Sequence, residues 1–224
     1  MEFTIAELLG TLNKEESKRQ LTVLYAAGDI DLCRRGSRIS VVGSRKATPE
    51  GLKRAELVTK ALVRHGITVV SGLAEGIDTA AHETAISEGG NTIAVLGTPL
   101  DEFYPPKNRS LQERIMRDHL AVSQFPIGYP MKRSNFPMRN LTMSLLTDAT
   151  VIVEATENSG TLHQAKETLR LGRQLLIMES VLTNPELNWP KEMMKYGAIM
   201  LSRGNMDHIL AEMPERTDAE PFSL

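Results

Sequence analysis

The residues Ile39-Ser40-Val41-Val42-Gly43-Ser44-Arg45 carry the first suggestion of chemistry. An apolar, β-branched run stops at a glycine, and a hydroxyl and a guanidinium follow at once. Lys46 to Glu50 lead into a helix that runs to about Val63, with Pro49 and Glu50 suited to its first turn. A strand, a tight turn and a helix start together predict an anion site, because unpaired N–H groups and the helix dipole favour negative charge there. Gly43 lets the backbone come close to a bound group, Ser44 donates a hydroxyl, and Arg45 clamps a phosphate through two parallel hydrogen bonds. These residues also fit an ordinary βα turn. The rest of the chain decides between the two.

Such a turn needs a sheet to hold it. From Ile39 onward strand and helix patterns alternate, which predicts an α/β fold: an open, mostly parallel sheet with helices on both faces. Strands are expected at Ile39–Val42, Thr68–Ser71, Thr92–Leu96, Ala121–Gln124, Thr150–Glu154, Gln174–Met178 and Ala198–Leu201. Helices are expected near 50–65, 76–89, 107–119, 136–147, 160–171, 190–196 and 205–213. Most of these strands are continuous apolar runs, as strands buried on both faces should be. Residues 1–36 read as a mostly helical lead-in packed on the core, with Ile5, Leu8, Leu9 and Leu12 at helical spacing and a small strand at 21–25. Residues 37–213 form the main domain, and 214–224 read as a flexible tail.

The 224 residues are 41% hydrophobic and 24% charged, with a net charge of −2, so a positive site must be built locally. The single cysteine, Cys33, excludes an internal disulfide framework and fits a reducing compartment. The first residues carry no signal pattern and no apolar run reaches the ~20 residues of a membrane span. A cytoplasmic protein without membrane association is expected.

In open α/β sheets, ligands bind beyond the carboxyl ends of the strands. Gly43, Ser44 and Arg45 follow the first strand of the domain; Ser71 and Gly72 stand at the end of the second, before Glu75, Asp78 and His82. Gly97 and Thr98 follow the third, before Lys107 and Asn108. Ser159, Gly160 and Thr161 follow the fifth. Four glycine–hydroxyl pairs at one edge predict a phosphate-lined pocket. Arg45, Lys46, Lys107, Arg109, Lys132, Arg133 and Arg139 fall near the same edge and predict a local basic rim.

Several of these segments resemble the DprA/Smf DNA-processing family. They are Val42-Gly43-Ser44-Arg45, the run Ser71 to Asp78 with Ala81-His82, and Thr92 to Gly97. Leu100-Asp101, Tyr104-Pro105, Asn108, Phe136-Pro137, Arg139-Asn140, Val153-Glu154-Ala155 and Ser159-Gly160 agree as well. The likeness spans roughly residues 21–212 in the family's order. It implies an extended Rossmann-like domain that binds single-stranded DNA in this pocket, protects it, assists a RecA-type recombinase in recombination or DNA uptake, and forms a homodimer. It implies no enzyme activity and no cofactor. The expected phosphate and DNA contacts are Gly43, Ser44, Arg45, Ser71, Gly72, Lys107, Asn108, Arg139, Asn140, Ser159, Gly160 and Thr161. Departures from the family pattern include Leu141-Thr142-Met143 after Asn140, Gln124 in place of a glutamate, and Met178-Glu179-Ser180 in place of Val-Pro-Gly. With no counterpart of the usual flanking domains, a minimal or divergent member is expected.

Arg139-Asn140-x-x-Met143, Asp148-Ala149 and Ser159-Gly160-Thr161 also resemble the nucleoside-monophosphate phosphoribohydrolases. Those enzymes carry a catalytic glutamate after Gly-Thr, whereas Leu162, His163 and Gln164 stand here and Glu167 is out of register. Without that carboxylate the hydrolysis has no acid/base group. A non-catalytic nucleotide-binding or nucleotide-sensing protein is the alternative. Asp78 and His82, four apart, read as a structural pair. The remaining histidines show no ligand spacing, so no metal is expected. Ser44, Ser71 and Ser159 each lack an identifiable histidine base nearby in sequence, and no G-x-S-x-G elbow exists.

Overall fold

The computed structural model describes residues 1–9, 14–18, 23–157 and 159–213. In chain order the elements are β1 (Glu2–Thr4), α1 (Ile5–Leu9), α2 (Lys14–Ser17), β2 (Val23–Gly28), β3 (Arg38–Val42), α3 (Pro49–Arg64), β4 (Thr68–Ser71), α4 (Ile77–Ser87) and β5 (Thr92–Leu96). There follow α5 (Arg109–Asp118), β6 (Leu120–Ser123), α6 (Asn135–Leu146), β7 (Ala149–Ile152), α7 (Gly160–Arg170), β8 (Gln174–Met178), α8 (Glu179–Leu182), α9 (Trp189–Lys195), β9 (Ile199–Leu201) and α10 (Met206–Ala211).

Among the described residues one sheet of nine strands runs in the order β1-β2-β6-β5-β4-β3-β7-β8-β9. The strands from β6 to β9 are mutually parallel. β3, β4, β5, β6 and β7 are buried at every position. Burial on both faces is why their sequences run apolar without alternation. α3 packs on α4 and α10 on α3, while α6 packs on α7; reversal of the winding direction at β3 puts these two groups on opposite faces. The strand order turns back between β3 and β7, and ligand crevices of open α/β sheets lie at such a reversal.

The lead-in differs from its expected form. Its described residues include two strands, and both are built into the sheet: β2 pairs antiparallel with β6, Tyr25 opposite Ser123, and β1 pairs with β2. Helical spacing holds only for α1, where Ile5 and Leu8 are buried. Leu12 and the start of the 21–25 strand lie outside the described residues, as does the 214–224 tail. Arg38 ties the lead-in to the core. It is fully buried, its Nε donates to the Leu146 carbonyl at 2.7 Å, and its Nη1 donates to the Cys33 carbonyl. α8 was not foreseen from the sequence; it begins directly at the end of β8.

Candidate nucleic-acid interface

The β3–α3 turn is organised differently from a phosphate loop. Thr48 caps α3, its Oγ1 accepting from Gly51 N at 3.0 Å, and Pro49 occupies the first turn. The Glu154 carboxylate then lies across this end. Its Oε1 accepts from Thr48 N at 3.0 Å, and its Oε2 accepts from Thr48 Oγ1 at 2.5 Å and from Arg54 Nη2 at 3.4 Å. A Cβ on Gly51 would collide with that carboxylate. The anion site predicted at this helix start is therefore filled by the protein's own side chain. Gly43 is required for a different reason: a Cβ there would lie 2.6 Å from Ile77 Cγ1 and 2.9 Å from the Glu154 carbonyl oxygen.

The open helix start belongs to α7. A cleft of about 700 Å³ is lined by Gly43, Ser44, Arg45, Lys46, Arg133, Phe136, Arg139, Asn140, Ser159, Gly160, Thr161 and Gln164, among others. The first turn of the 11-residue α7 forms one wall, and Ser159 occupies the capping position without making a capping bond. Its outer N–H groups and positive dipole end thus face the cleft. Arg45 lines the same cleft, exposed, with its guanidinium carbon 5.0 Å from the centre of the Phe136 ring. Among the described residues Arg45 has no carboxylate partner; neither Asp78 nor Glu154 holds it. Phe136 in turn meets Tyr104 at 5.4 Å between ring centres. Gly97 makes room for this ladder, since a Cβ there would lie 2.7 Å from Phe136 Cδ1.

Of the turn residues expected as phosphate contacts, Gly43, Ser44, Ser159, Gly160 and Thr161 share this one concave site. Asn140 joins them from α6. Ser71 and Gly72 do not line the cleft. Ser71 is fully buried and donates to the Val41 carbonyl at 2.7 Å. Gly72 leaves the space that the Arg139 guanidinium fills; a Cβ would fall within that group. Arg139 reaches the cleft only as its floor. It is 4% exposed, its Nη1 donates to the Val95 carbonyl at 3.0 Å, and burial lowers its pKa against the opposing pull of Asp78.

Asn108 is likewise interior, its Nδ2 donating to the Leu73 carbonyl at 3.0 Å and to Thr79 Oγ1 at 2.8 Å. It fixes the β4–α4 loop at Leu73, which takes a left-handed φ of 59°. The Asp78 carboxylate cinches the same loop by accepting from Gly72 N at 3.1 Å and Ala74 N at 3.3 Å. Burial raises the Asp78 pKa, with Arg139 as the chief opposing charge. The expected Asp78–His82 pairing does not form. His82 Nδ1 instead meets Thr92 Oγ1 at 2.7 Å, and burial pushes the ring's pKa down to about 3.

The basic rim is narrower than expected. Lys107 is held by Glu75 at 2.6 Å and Arg109 by Glu113 at 2.9 Å, and neither lines the cleft. Arg45, Lys46 and Arg133 remain as exposed cations on its lining. Phe136 and Tyr104 were not singled out as site residues; the usable signal was a glycine, Gly97, placed directly after a buried strand with no turn of its own to explain it. Among the described residues no three His, Cys, Asp or Glu side chains gather as for a metal ion. No helix among them is long and apolar enough to cross a membrane.

Residues 11–214 match the family model for DNA recombination-mediator protein A. The chain is 33% identical over 202 residues to the DNA processing protein DprA of Bacillus subtilis (strain 168), covering 89% of this chain and 67% of the relative. It is 37% identical over 193 residues to protein Smf of Synechocystis sp., covering 85% of this chain and 46% of the relative. The chain thus spans about half to two thirds of the length of these relatives. The X-ray structure of DNA processing protein A from Streptococcus pneumoniae superposes with a TM-score of 0.82 at 33% identity, covering 96% of this chain and 74% of that one. With a family match over nearly all of its length, and a solved relative that shares its fold, this chain belongs to the DNA recombination-mediator protein A (DprA/Smf) family.

Proposed function

We propose that the cleft binds single-stranded DNA, holding a backbone phosphate between Arg45 and the first turn of α7 and stacking a base on Phe136. The observation that carries this reading is the exposed Arg45 guanidinium, without a carboxylate partner, lying 5.0 Å from the Phe136 ring centre at the mouth of the cleft. A cation set beside an aromatic face is how sequence-tolerant single-strand sites combine phosphate and base contacts. The protein performs no covalent step in this reading. Among the described residues the one carboxylate on the cleft lining is Asp78, which is buried and already accepts from two backbone N–H groups. Gln164 stands on the first turns of α7, where phosphoribohydrolase chemistry needs a carboxylate. On the support of its membership of a DNA-processing family, the proposal extends to shielding the strand, delivering it to a RecA-type recombinase and acting as a homodimer in the cytoplasm.

Titration with a labelled single-stranded oligonucleotide and with mononucleotides over a salt series tests the reading. A strand neutralised at several phosphates loses affinity steeply with salt, whereas a one-phosphate ligand responds shallowly. Tight mononucleotide binding with no gain for the oligonucleotide favours the nucleotide-sensing alternative.

A further inference from the structure

Beside the cleft, at the β3/β7 reversal, lies a second chamber of about 300 Å³. Ser44, Lys46 and Thr156 line both spaces, so the two adjoin. Its size is at the bottom of the range for small-ligand sites, enough for one compact group and no length of strand. Its chemistry is unlike that of the cleft. On its wall the Glu154 carboxylate is met by Thr48 Oγ1 at 2.5 Å and by Arg54 Nη2 at 3.4 Å, so the Glu154–Arg54 pair presents no net charge to a ligand, and Lys46 stands on the side shared with the cleft. Asn184 offers a donor: its Oδ1 accepts from Glu186 N at 2.9 Å, which leaves the Nδ2 amide without a partner among the described residues. Val181 and Leu187 contribute buried apolar surface and Ser180 a hydroxyl. Ser180 and Val181 belong to α8, where the chain has Met178-Glu179-Ser180 in place of the family's Val-Pro-Gly.

We propose that this chamber receives the uncharged nucleoside part of a nucleotide whose phosphate sits in the cleft, its base against Val181 and Leu187 and its edge read by Asn184. The proposal rests on the phosphate reading of the cleft and adds a base-dependent contact to it. The nucleoside belongs either to the bound strand or to a free mononucleotide.

Three probes separate these: an oligothymidylate, a strand of equal length and charge that lacks bases, and thymidine 5′-monophosphate. Ser180→Trp fills the chamber from an exposed position, and Asn184→Ala removes the amide donor without filling space. Ser180→Trp is expected to weaken oligothymidylate about tenfold, and Asn184→Ala about threefold, the range of one hydrogen bond with its packing. Binding of the abasic strand should not change in either. If monophosphate binding alone falls in both variants, a free nucleotide is the occupant and the chamber stands. Equal weakening of oligothymidylate and the abasic strand, or no weakening of any probe, overturns the proposal. Arg45→Ala, which should weaken both strands, shows whether the cleft reading survives such a failure. Should Ser180→Trp fold poorly by thermal unfolding, Asn184→Ala decides alone.

Discussion

The Arg139 guanidinium occupies the place of a side chain at Gly72. One residue is small because the other is large and charged, and the two are 67 positions apart in a fold that brings α6 over the end of β4. This contact makes both residues part of the fold rather than part of a strand-binding surface. Gly72→Ala should therefore destabilise the protein by more than about 2 kcal/mol, in the range of overpacked interiors. Arg139→Ala should cost about 3 kcal/mol, because it leaves Asp78 buried beside no cation. Chemical denaturation of both variants checks this; wild-type stability with reduced DNA affinity would restore Arg139 to the binding surface.

Neighbours Lys107 and Asn108 should behave oppositely. Asn108→Ala removes two buried hydrogen bonds and releases the Leu73 carbonyl, so a loss of about 1–3 kcal/mol is expected by denaturation. Lys107→Ala breaks an exposed ion pair with Glu75 and should stay within about 0.5 kcal/mol of wild type.

Much of the fold was legible because parallel strands buried on both faces announce themselves as apolar runs. Thr68–Ser71, Thr92–Leu96 and Gln174–Met178 are strands at those same residues. β2 was less legible, since its strand form depends on pairing with β6, almost a hundred residues on. The site was half legible. A glycine and a hydroxyl after a strand look alike whether they line an open cleft, as Ser159 and Gly160 do, or close a packed turn, as Ser71 and Gly72 do. The distinction lies in neighbours remote in sequence: Val41 for Ser71, Arg139 for Gly72, Glu154 for the start of α3.

Acid should destabilise the protein through His82. Burial holds its ring neutral, with pKa about 3 against the usual 6.5, and the charges of Arg139 and His119 add to this. On unfolding the ring takes up a proton, so stability is complete above about pH 6.5 and falls as pH drops toward 3. Asp78, whose pKa is raised by burial, works in the opposite sense and is present in any His82 variant. Relative to His82→Gln, wild type should lose about 2 kcal/mol between pH 7 and pH 5. A difference that does not change with pH would contradict this.

Phe136→Ala should weaken oligonucleotide binding by about 1–3 kcal/mol, the worth of one stacked base. Because the lost contact is uncharged, the dependence of affinity on salt should keep its slope. A slope that becomes shallower would mean that the ring acts by positioning Arg45.

In the function proposed, Arg45 grips a phosphate. A charge-assisted contact of this kind contributes about 1.5–3 kcal/mol, so Arg45→Ala should bind single-stranded oligonucleotides roughly ten- to a hundredfold more weakly. The loss should be similar for all sequences, with a salt slope shallower by about 0.7 and an unchanged melting temperature. Arg45→Lys should recover only part of the affinity, since an ammonium lacks the planar fork. Titration of Arg45→Ala across a salt series is the most direct measurement. A weaker, less salt-sensitive complex is expected; a well-folded variant with wild-type affinity and slope would remove Arg45 from the site.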